Sequence, residues 1–436
     1  MRFLGIGDYC DLSSLYVRLQ DAGHEVRVFI SEPMCKSSLA GIVPHAENWE
    51  AALPWVREAG EDGIILFENV AEGCGRLQDS LRAASFHVIG GSAFGDRLEN
   101  DRAYGQQILR EIGLQVAPTF EFDSPGEAIE HIKARPARYV LKFNGSELSA
   151  VDNYVGKMRD GADVAAMIRS KFRQEEYERF SFVLMDHVEG VEMGVGAYFN
   201  GTRFLEPACL DWEHKAFFPG DLGELTGEMG TVATFERTGV FFHKTLARMG
   251  PLLAANGYCG YINLNTIVNE AGIWPLEFTC RFGYPGYAVL EPLQKTTWPE
   301  LFKALIQKSS AQLATHPGFS VGVVLTTPPF PYVRSFVPEP IGLPILFDGA
   351  LSATDFAHLH LGEVGRENGQ LVTAGYHGWT MVVTGVGSSI ERARRAAYER
   401  AGHVIIPKLR YRIDIGEKLS ESGYAEVERL GLFGDA

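Results

Sequence analysis

The chain has no CxxC pair. Its six cysteines, Cys10, Cys35, Cys74, Cys209, Cys259 and Cys280, are scattered through 436 residues. That spacing argues against a structural zinc or a disulfide framework and suits reduced thiols. No run approaches the roughly 18 uncharged apolar residues of a membrane span. The opening MRFLGIGDYC has too short an apolar stretch before Asp8 to be a signal peptide. Positive charge is also in short supply, with 40 Lys and Arg against 55 Asp and Glu and a net charge of −15. Such a balance disfavours non-specific binding to nucleic acid or an anionic membrane, which needs a basic surface. It leaves room for a small anion held by a few local basic groups. A dinucleotide fingerprint is missing too: GxGxxG would need a third glycine where GIGDYC has Cys10. There is no internal repeat or low-complexity tract. A cytoplasmic protein with no nucleic-acid or membrane partner is expected.

What is present reads as a folded protein of two or three domains, 46% hydrophobic and 22% charged. Over the first ninety or so residues, strand-like MRFLGIG, HEVRVFI, DGIILFE and FHVIGG alternate with helix-like stretches such as LSSLYVRLQDAG. Strand–helix–strand alternation predicts a doubly wound parallel sheet of the α/β class. Ligands of such sheets gather beyond the carboxyl ends of strands, here Gly7–Asp8 and Glu68–Asn69. Further on, ENDRAYGQQILREIGLQVAP reads as one helix, DLGELTGEMGTV as a Gly/Thr-rich loop, and Phe241–Ala255 as a helix. YINLNTIV and IWPLEFT, joined by NEAG, have the chemistry of a hairpin. After about residue 316 short strands dominate, with one helix in SIERARRAAYERAGHVI.

In PLEFTCRFGYP, Glu277, Thr279 and Arg281 alternate with Phe278, Cys280 and Phe282. A strand with period two puts the three polar groups on one face. Asn263 and Asn265 lie on the partner strand, where cross-strand neighbours approach to roughly 5 Å. A carboxylate, an amide carbonyl and a hydroxyl converging there suit Mg²⁺, which takes its remaining ligands from waters and phosphates. Arg281 is placed to grip a phosphate or carboxylate. A solvated strand face would carry the same residues, so both readings stand on spacing alone. Arg102, Lys142 and Lys215 each follow a strand or begin a helix, and Lys142 precedes Asn-Gly-Ser, whose amides could cover a phosphate. Glu192, after Gly190, is a carboxylate suited to ribose hydroxyls.

Taken together, these segments resemble an ATP-grasp ligase, and more narrowly the phosphoribosylamine–glycine ligase family. PLEFTCRFGYP resembles that family's LEFN-x-RFGDPE strand, and DWEHKAFFPGDLGELTGEMG its DHKR…GPNTGGMG loop. KLRYRIDIG is similar to QYRRDIG, and LVTAGYHGWTMVVTG to GGRVL-x-VTG. The resemblance covers nearly the whole chain. It implies an N-terminal α/β domain at 1–95 and ATP-grasp domains at 96–315, with a nucleotide-covering lobe near 118–192 and a catalytic lobe near 193–315. A β-rich domain would follow at 316–436. It implies ATP and Mg²⁺ (or Mn²⁺) as cofactors, with Glu277, Thr279, Asn265 and Asn263 at the metal. Arg102 and Lys142 would contact phosphates, and Met185, Asp186, His187 and Val188 would bind adenine through backbone groups. Glu192 would hold the ribose. Lys215, with His214, would reach the γ-phosphate, and Arg281 the acyl phosphate. Asp8, Glu68, Asp211 and Arg281 are the expected substrate-facing groups.

The implied chemistry is attack of a carboxylate on ATP to give an acyl phosphate and ADP, then displacement of phosphate by an amine. Small-molecule partners and a monomer or homodimer are expected. The chain also departs from the family. Thr279 replaces asparagine, and FNGSELSAVDNYVG lacks the family's GKG. GIGDYCDLSSLY stands for GNGGREHA, and Tyr376-His377-Gly378-Trp379 for a Gly-Gly-Arg segment. Aspartates in place of Arg and His would repel a sugar phosphate. The expectation is therefore a paralogue that joins an amino acid or other carboxylate to a different amine. Phosphoribosylamine–glycine ligase itself and a non-catalytic nucleotide sensor are the alternatives.

Overall fold

The computed structural model describes residues 1–68, 73–143, 153–173, 181–332, 341–349 and 351–435. Asn69 and the Asn-Gly-Ser run at 144–146 lie outside them.

The first strands form a four-stranded parallel sheet in the order Glu25–Ile30, Arg2–Gly7, Gly63–Phe67, His87–Ile89. Their near-continuous apolar runs reflect burial on both faces. Phe3, Ile64 and Leu66 pack with Leu15 and Leu19 on one side, while Leu4, Ile65 and Phe67 pack with Ala52 and Val56 on the other. The expected doubly wound sheet is present.

Two helices replace the single one expected across ENDRAYGQQILREIGL: Ala93–Asn100 and Arg102–Glu111. The break is Asp101, whose carboxylate accepts from the Tyr104 amide at 2.9 Å and caps the second helix. Capping competes with continuation, and here it sets Arg102 at a helix start. Phe241–Ala255 is likewise split, into Gly239–Lys244, a 3₁₀ turn Leu246–Met249, and Gly250–Ala255.

A four-stranded antiparallel sheet follows, ordered Thr119–Phe122, Phe182–Asp186, Tyr139–Phe143, Tyr154–Val155. The helices Pro125–Ala134 and Ala162–Lys171 contribute Ile132, Val164 and Ile168 to a core shared with Tyr139, Leu141 and Phe143. Alternation then sends Lys142 to the opposite face.

The largest unit is an eight-stranded antiparallel sheet. Its order is Gly272–Thr279, Cys259–Asn269, Val191–Asn200, Phe204–Glu213, Gly230–Thr234, Phe319–Thr326, Trp379–Gly387, Leu359–Leu361. The 315/316 boundary therefore runs through the middle of a continuous sheet. DLGELTGEMGTV is not the expected loop: Leu222–Leu225 pairs with Ala216–Phe218, and Gly230–Thr234 lies inside the large sheet. Its weak local pattern is overridden by pairing on both sides and by complete burial of Gly230–Thr234. Helix Ile390–Gly402 lays Ala393, Ala397 and Ala401 on the sheet, where a Cβ on Gly385 would come within 2.3 Å of the Ala393 carbonyl oxygen.

Candidate active site

The hairpin register puts Asn265 opposite Glu277 and Asn263 opposite Thr279. All four side chains share one face, because positions two apart on a strand point the same way. Three basic groups, on a helix, a strand and the link after strand Phe204–Glu213, converge on Glu277. Arg102 Nη1 lies 3.2 Å and Lys142 Nζ 3.3 Å from Oε2, and Lys215 Nζ lies 3.5 Å from Oε1. Lys142 holds this carboxylate well below the usual range; burial opposes that shift, and Lys215 and Arg102 add to it. Burial pushes the Lys142 ammonium down, with Glu277 resisting. Lys215 also reaches Glu192 at 3.1 Å and Glu213 at 3.2 Å. Burial alone would lower its pKa; the three carboxylates, Glu192 first, reverse the shift and raise it well above an ordinary lysine.

A cleft of about 140 Å³ opens between the small sheet and this cluster, lined by Arg102, Thr119, Lys142, Met185, Glu277 and Phe278 among others. Met185 is one of these lining residues. The adjoining backbone amides are engaged in pairing. The Asp186 amide donates to Pro118 O and the His187 amide to Arg138 O, both at 2.9 Å, so sheet pairing already uses these donors. The Asp186 carboxylate is held by both terminal nitrogens of Arg135 at 2.6 Å. Val188 follows the strand that ends at Asp186.

The other expected site residues have these contacts. Glu192 accepts from Asn265 Nδ2 at 2.8 Å as well as from Lys215, so its carboxylate belongs to the charge cluster. His214 Nε2 accepts from the Gly416 amide at 3.0 Å, which turns the ring toward the C-terminal segment and away from the lysine beside it. Burial, helped by Arg412, lowers its pKa to about 4. The neutral imidazole ties the link before Lys215 to the C-terminal segment. Glu68 is only 1% exposed and takes the Tyr16 hydroxyl at 2.7 Å. Burial, then Asp11, pushes it up to about 8. It underlies the N-terminal turn, where a Cβ on Gly7 would come within 2.6 Å of it. Asp8 accepts from the Ser31 hydroxyl. Asp211 accepts from Asn263 Nδ2 at 2.6 Å.

Arg281 is fixed by Glu99, which takes its Nε at 3.0 Å and the Cys280 amide at 2.7 Å. Burial opposes its charge, but Glu99 and Asp11 outweigh it. Asp11 is pushed up by burial, with Arg281 and His377 pulling it down and Glu363 pushing it up. The N-terminal turn, Arg281 and residues 376–379 therefore form one electrostatic neighbourhood. Sequence reasoning missed Glu99, Glu213, Glu228 and Glu363. Glu213 alone carried a local signal, two positions before Lys215 in EHK.

A cleft between a small antiparallel lobe and a large sheet, with basic groups facing a carboxylate–asparagine strand pair, is the arrangement in which this chain is similar to ATP-grasp ligases. Residues 100–287 match the phosphoribosylglycinamide synthetase ATP-grasp (A) domain. The chain is similar to phosphoribosylamine–glycine ligase: that of a Nostoc species is 28% identical over 358 residues, 79% of this chain and 81% of its own length. Among solved structures, phosphoribosylamine–glycine ligase from Thermotoga maritima matches with a TM-score of 0.70 at 21% identity, covering 95% of this chain and 100% of that one. The biotin carboxylase domain of Hydrogenobacter thermophilus 2-oxoglutarate carboxylase, solved with MgADP and bicarbonate, shares the fold with a TM-score of 0.64 at 12% identity, covering 98% and 97%.

Proposed function

We propose that the protein is an ADP-forming ligase that joins a carboxylate to an amine through an acyl phosphate. The observation that carries this reading is the convergence of Arg102, Lys142 and Lys215 on Glu277, with Asn265 directly across the strand pair. Three basic groups around one carboxylate suit a triphosphate that needs both cations and a metal. The donor set fits Mg²⁺: Glu277 and Asn265, with Thr279, present hard oxygens and leave positions for phosphate and water. Among the described residues no group of three or more His, Cys, Asp or Glu side chains would hold a metal without such co-ligands. When bound, Mg²⁺ would offset phosphate charge. Arg102 and Lys142 would hold ATP phosphates, Lys215 would reach the γ-phosphate, and Arg281, oriented by Glu99, would hold the acyl phosphate. None of these roles needs a side-chain nucleophile. A cytoplasmic setting goes with this reading.

The names of the relatives support phosphoribosylamine and glycine as the first pair to test. A specific observation supports a second pair. Residues 376–379 form a nest of backbone amides, which elsewhere binds anions. Here Glu363 fills it, accepting from Tyr376, His377, Gly378 and Trp379 at 2.6–3.1 Å. With Asp11 beside Arg281, that neighbourhood favours an amine without a phosphate. Phosphate release from Mg-ATP with phosphoribosylamine plus glycine, run beside a panel of amino acids and amines, separates the two. Turnover only with phosphoribosylamine plus glycine selects the first; turnover only with unphosphorylated amines selects the second. ATP binding without ADP formation from any pair would point to a sensor.

A further inference from the structure

The KLRYRIDIG run at 408–416 lies against the hairpin that begins one residue after Lys215. Arg412 in this run is 2% exposed, and its guanidinium is committed on two sides. On the hairpin side, Nη1 donates to the Ala216 carbonyl at 3.0 Å, across 196 residues of chain, and Nη2 donates to Asp221 at 2.8 Å. On its own side, Nε and Nη2 donate to the two oxygens of Asp414, at 2.5 and 3.0 Å. Asp414 in turn accepts from the Gly220 amide in the hairpin turn at 2.9 Å. One arginine and two aspartates thus fasten both the base and the turn of the hairpin to the C-terminal segment.

Such a hairpin needs fastening. Two strands alone are marginal in water, and the outer residues Phe218 and Leu222 are 50% and 57% exposed, so only Ala216 and Phe217 at the base bury apolar surface well. Lys215 moves with the hairpin, because its carbonyl accepts from both the amide and the hydroxyl of Thr226, at 2.8 and 2.7 Å. Its side chain then reaches Glu192, Glu213 and Glu277. On the strand side of Lys215, His214 gives one neutral bond to Gly416. On the hairpin side the tie is the charged fork of Arg412. Charge-assisted bidentate bonds are the stronger kind, and they fix angle as well as distance.

We propose that Arg412 is a positioning residue for Lys215: it locks the hairpin to the C-terminal segment so that the lysine meets the terminal phosphate of a bound nucleoside triphosphate. The inference rests on the ligase reading for what Lys215 does, and it adds the distant residue that sets where Lys215 stands. A long lysine side chain is useful to a phosphate only if its backbone is held still, since small misplacements of a charged group lose much of its effect. The donors of Arg412 go to Ala216, Asp221 and Asp414, so its loss reaches a bound nucleotide through Lys215. A diphosphate lacks the group that Lys215 would meet, and its affinity does not depend on Arg412.

The test is a double-mutant cycle read by calorimetry on the full chain with Mg²⁺, titrating ADP and the non-hydrolysable β,γ-imido analogue of ATP. Arg412→Lys keeps the charge and loses the fork. It weakens the analogue about 10-fold, the scale of one charged hydrogen bond, and leaves ADP affinity unchanged. Lys215→Met weakens the analogue at least as much, and adding Arg412→Lys to it brings no further loss, because both act through one contact. Asp221→Asn loosens the hairpin side alone, and asparagine tolerates the left-handed backbone at this position (φ 57°). It gives the same pattern if the Arg412 variant misfolds. Additive losses in the cycle, a parallel loss of ADP and analogue, or an unchanged analogue affinity in the Arg412 and Asp221 variants would overturn the assignment. Phosphate release with the panel of amino acids and amines tests the ligase reading separately. Coupling of Arg412 to Lys215 without turnover of any pair keeps the positioning role and removes the ligase. Turnover with additive losses does the reverse.

Discussion

Asn265 faces Glu277 across the hairpin, yet its amide nitrogen donates to Glu192 at 2.8 Å and its oxygen accepts from the Thr266 amide at 2.9 Å. The asparagine is therefore oriented by second partners, while Glu277 alone faces the three basic groups. Removing the charge at Glu277 leaves Lys142, Arg102 and Lys215 without their common counter-charge. Glu277→Gln should cut ADP formation by about 10²-fold or more and retain adenine-nucleotide binding, read by a coupled ADP assay beside ADP titration. Because the folded carboxylate titrates below its ordinary range, its stabilising contribution is present above pH ~4.5 and lost as pH falls through the lower folded value. The variant should lose less stability than the parent on acidification. Undiminished ADP formation would remove Glu277 from the metal site.

Glu68 has the opposite sign. Its folded pKa of about 8 exceeds the ordinary carboxylate value, so folding takes up a proton between pH ~4.5 and ~8. Stability from this group is full below that window and declines as pH rises through it, by up to about 1.4 kcal/mol per pH unit. Urea melts at several pH values should show that slope, and Glu68→Gln should flatten it. A variant with the parental slope would show that Glu68 is ionised in the fold.

His214 tests the distinction between an active-site and a structural histidine. Its imidazole accepts from Gly416 and resists protonation until pH ~4, whereas an unfolded histidine titrates near 6.5. Stability should fall as pH drops from about 6.5 towards 4. His214→Ala should abolish that segment of the profile, cost about 1–3 kcal/mol, and keep kcat within a few-fold for the folded fraction. A large kcat loss with unchanged stability would return it to the chemistry.

Glu363→Ala should leave four consecutive amides facing a cavity without an acceptor. Leaving a buried amide donor unsatisfied costs about 1–3 kcal/mol, visible as a lower urea midpoint. Sulfate or phosphate should restore part of the loss by entering the nest, with parental protein showing no comparable gain. A neutral substitution would mean that water satisfies these amides.

Local pattern revealed a good part of this site. Period-two alternation in PLEFTCRFGYP, together with NEAG, specified a hairpin that points Glu277 and Thr279 to the same face as Asn263 and Asn265. Apolar runs closed by glycines specified the N-terminal parallel sheet. Both signals are local, because strand alternation is a property of the backbone over a few residues. Gly230–Thr234 escaped notice because its strand character comes from neighbours on either side.

Charge pairing was invisible for a different reason. Glu99 reaches Arg281 across 182 residues, and Lys142 reaches Glu277 across 135. Nothing near either partner in the chain announces the other. Burial and Coulomb forces act through space, so the fold sets which glutamate is a depressed carboxylate, Glu277, and which holds its proton, Glu68. The residue types and their faces were written in the order of the chain. Their ionisation and their partners exist only once distant segments exclude water together.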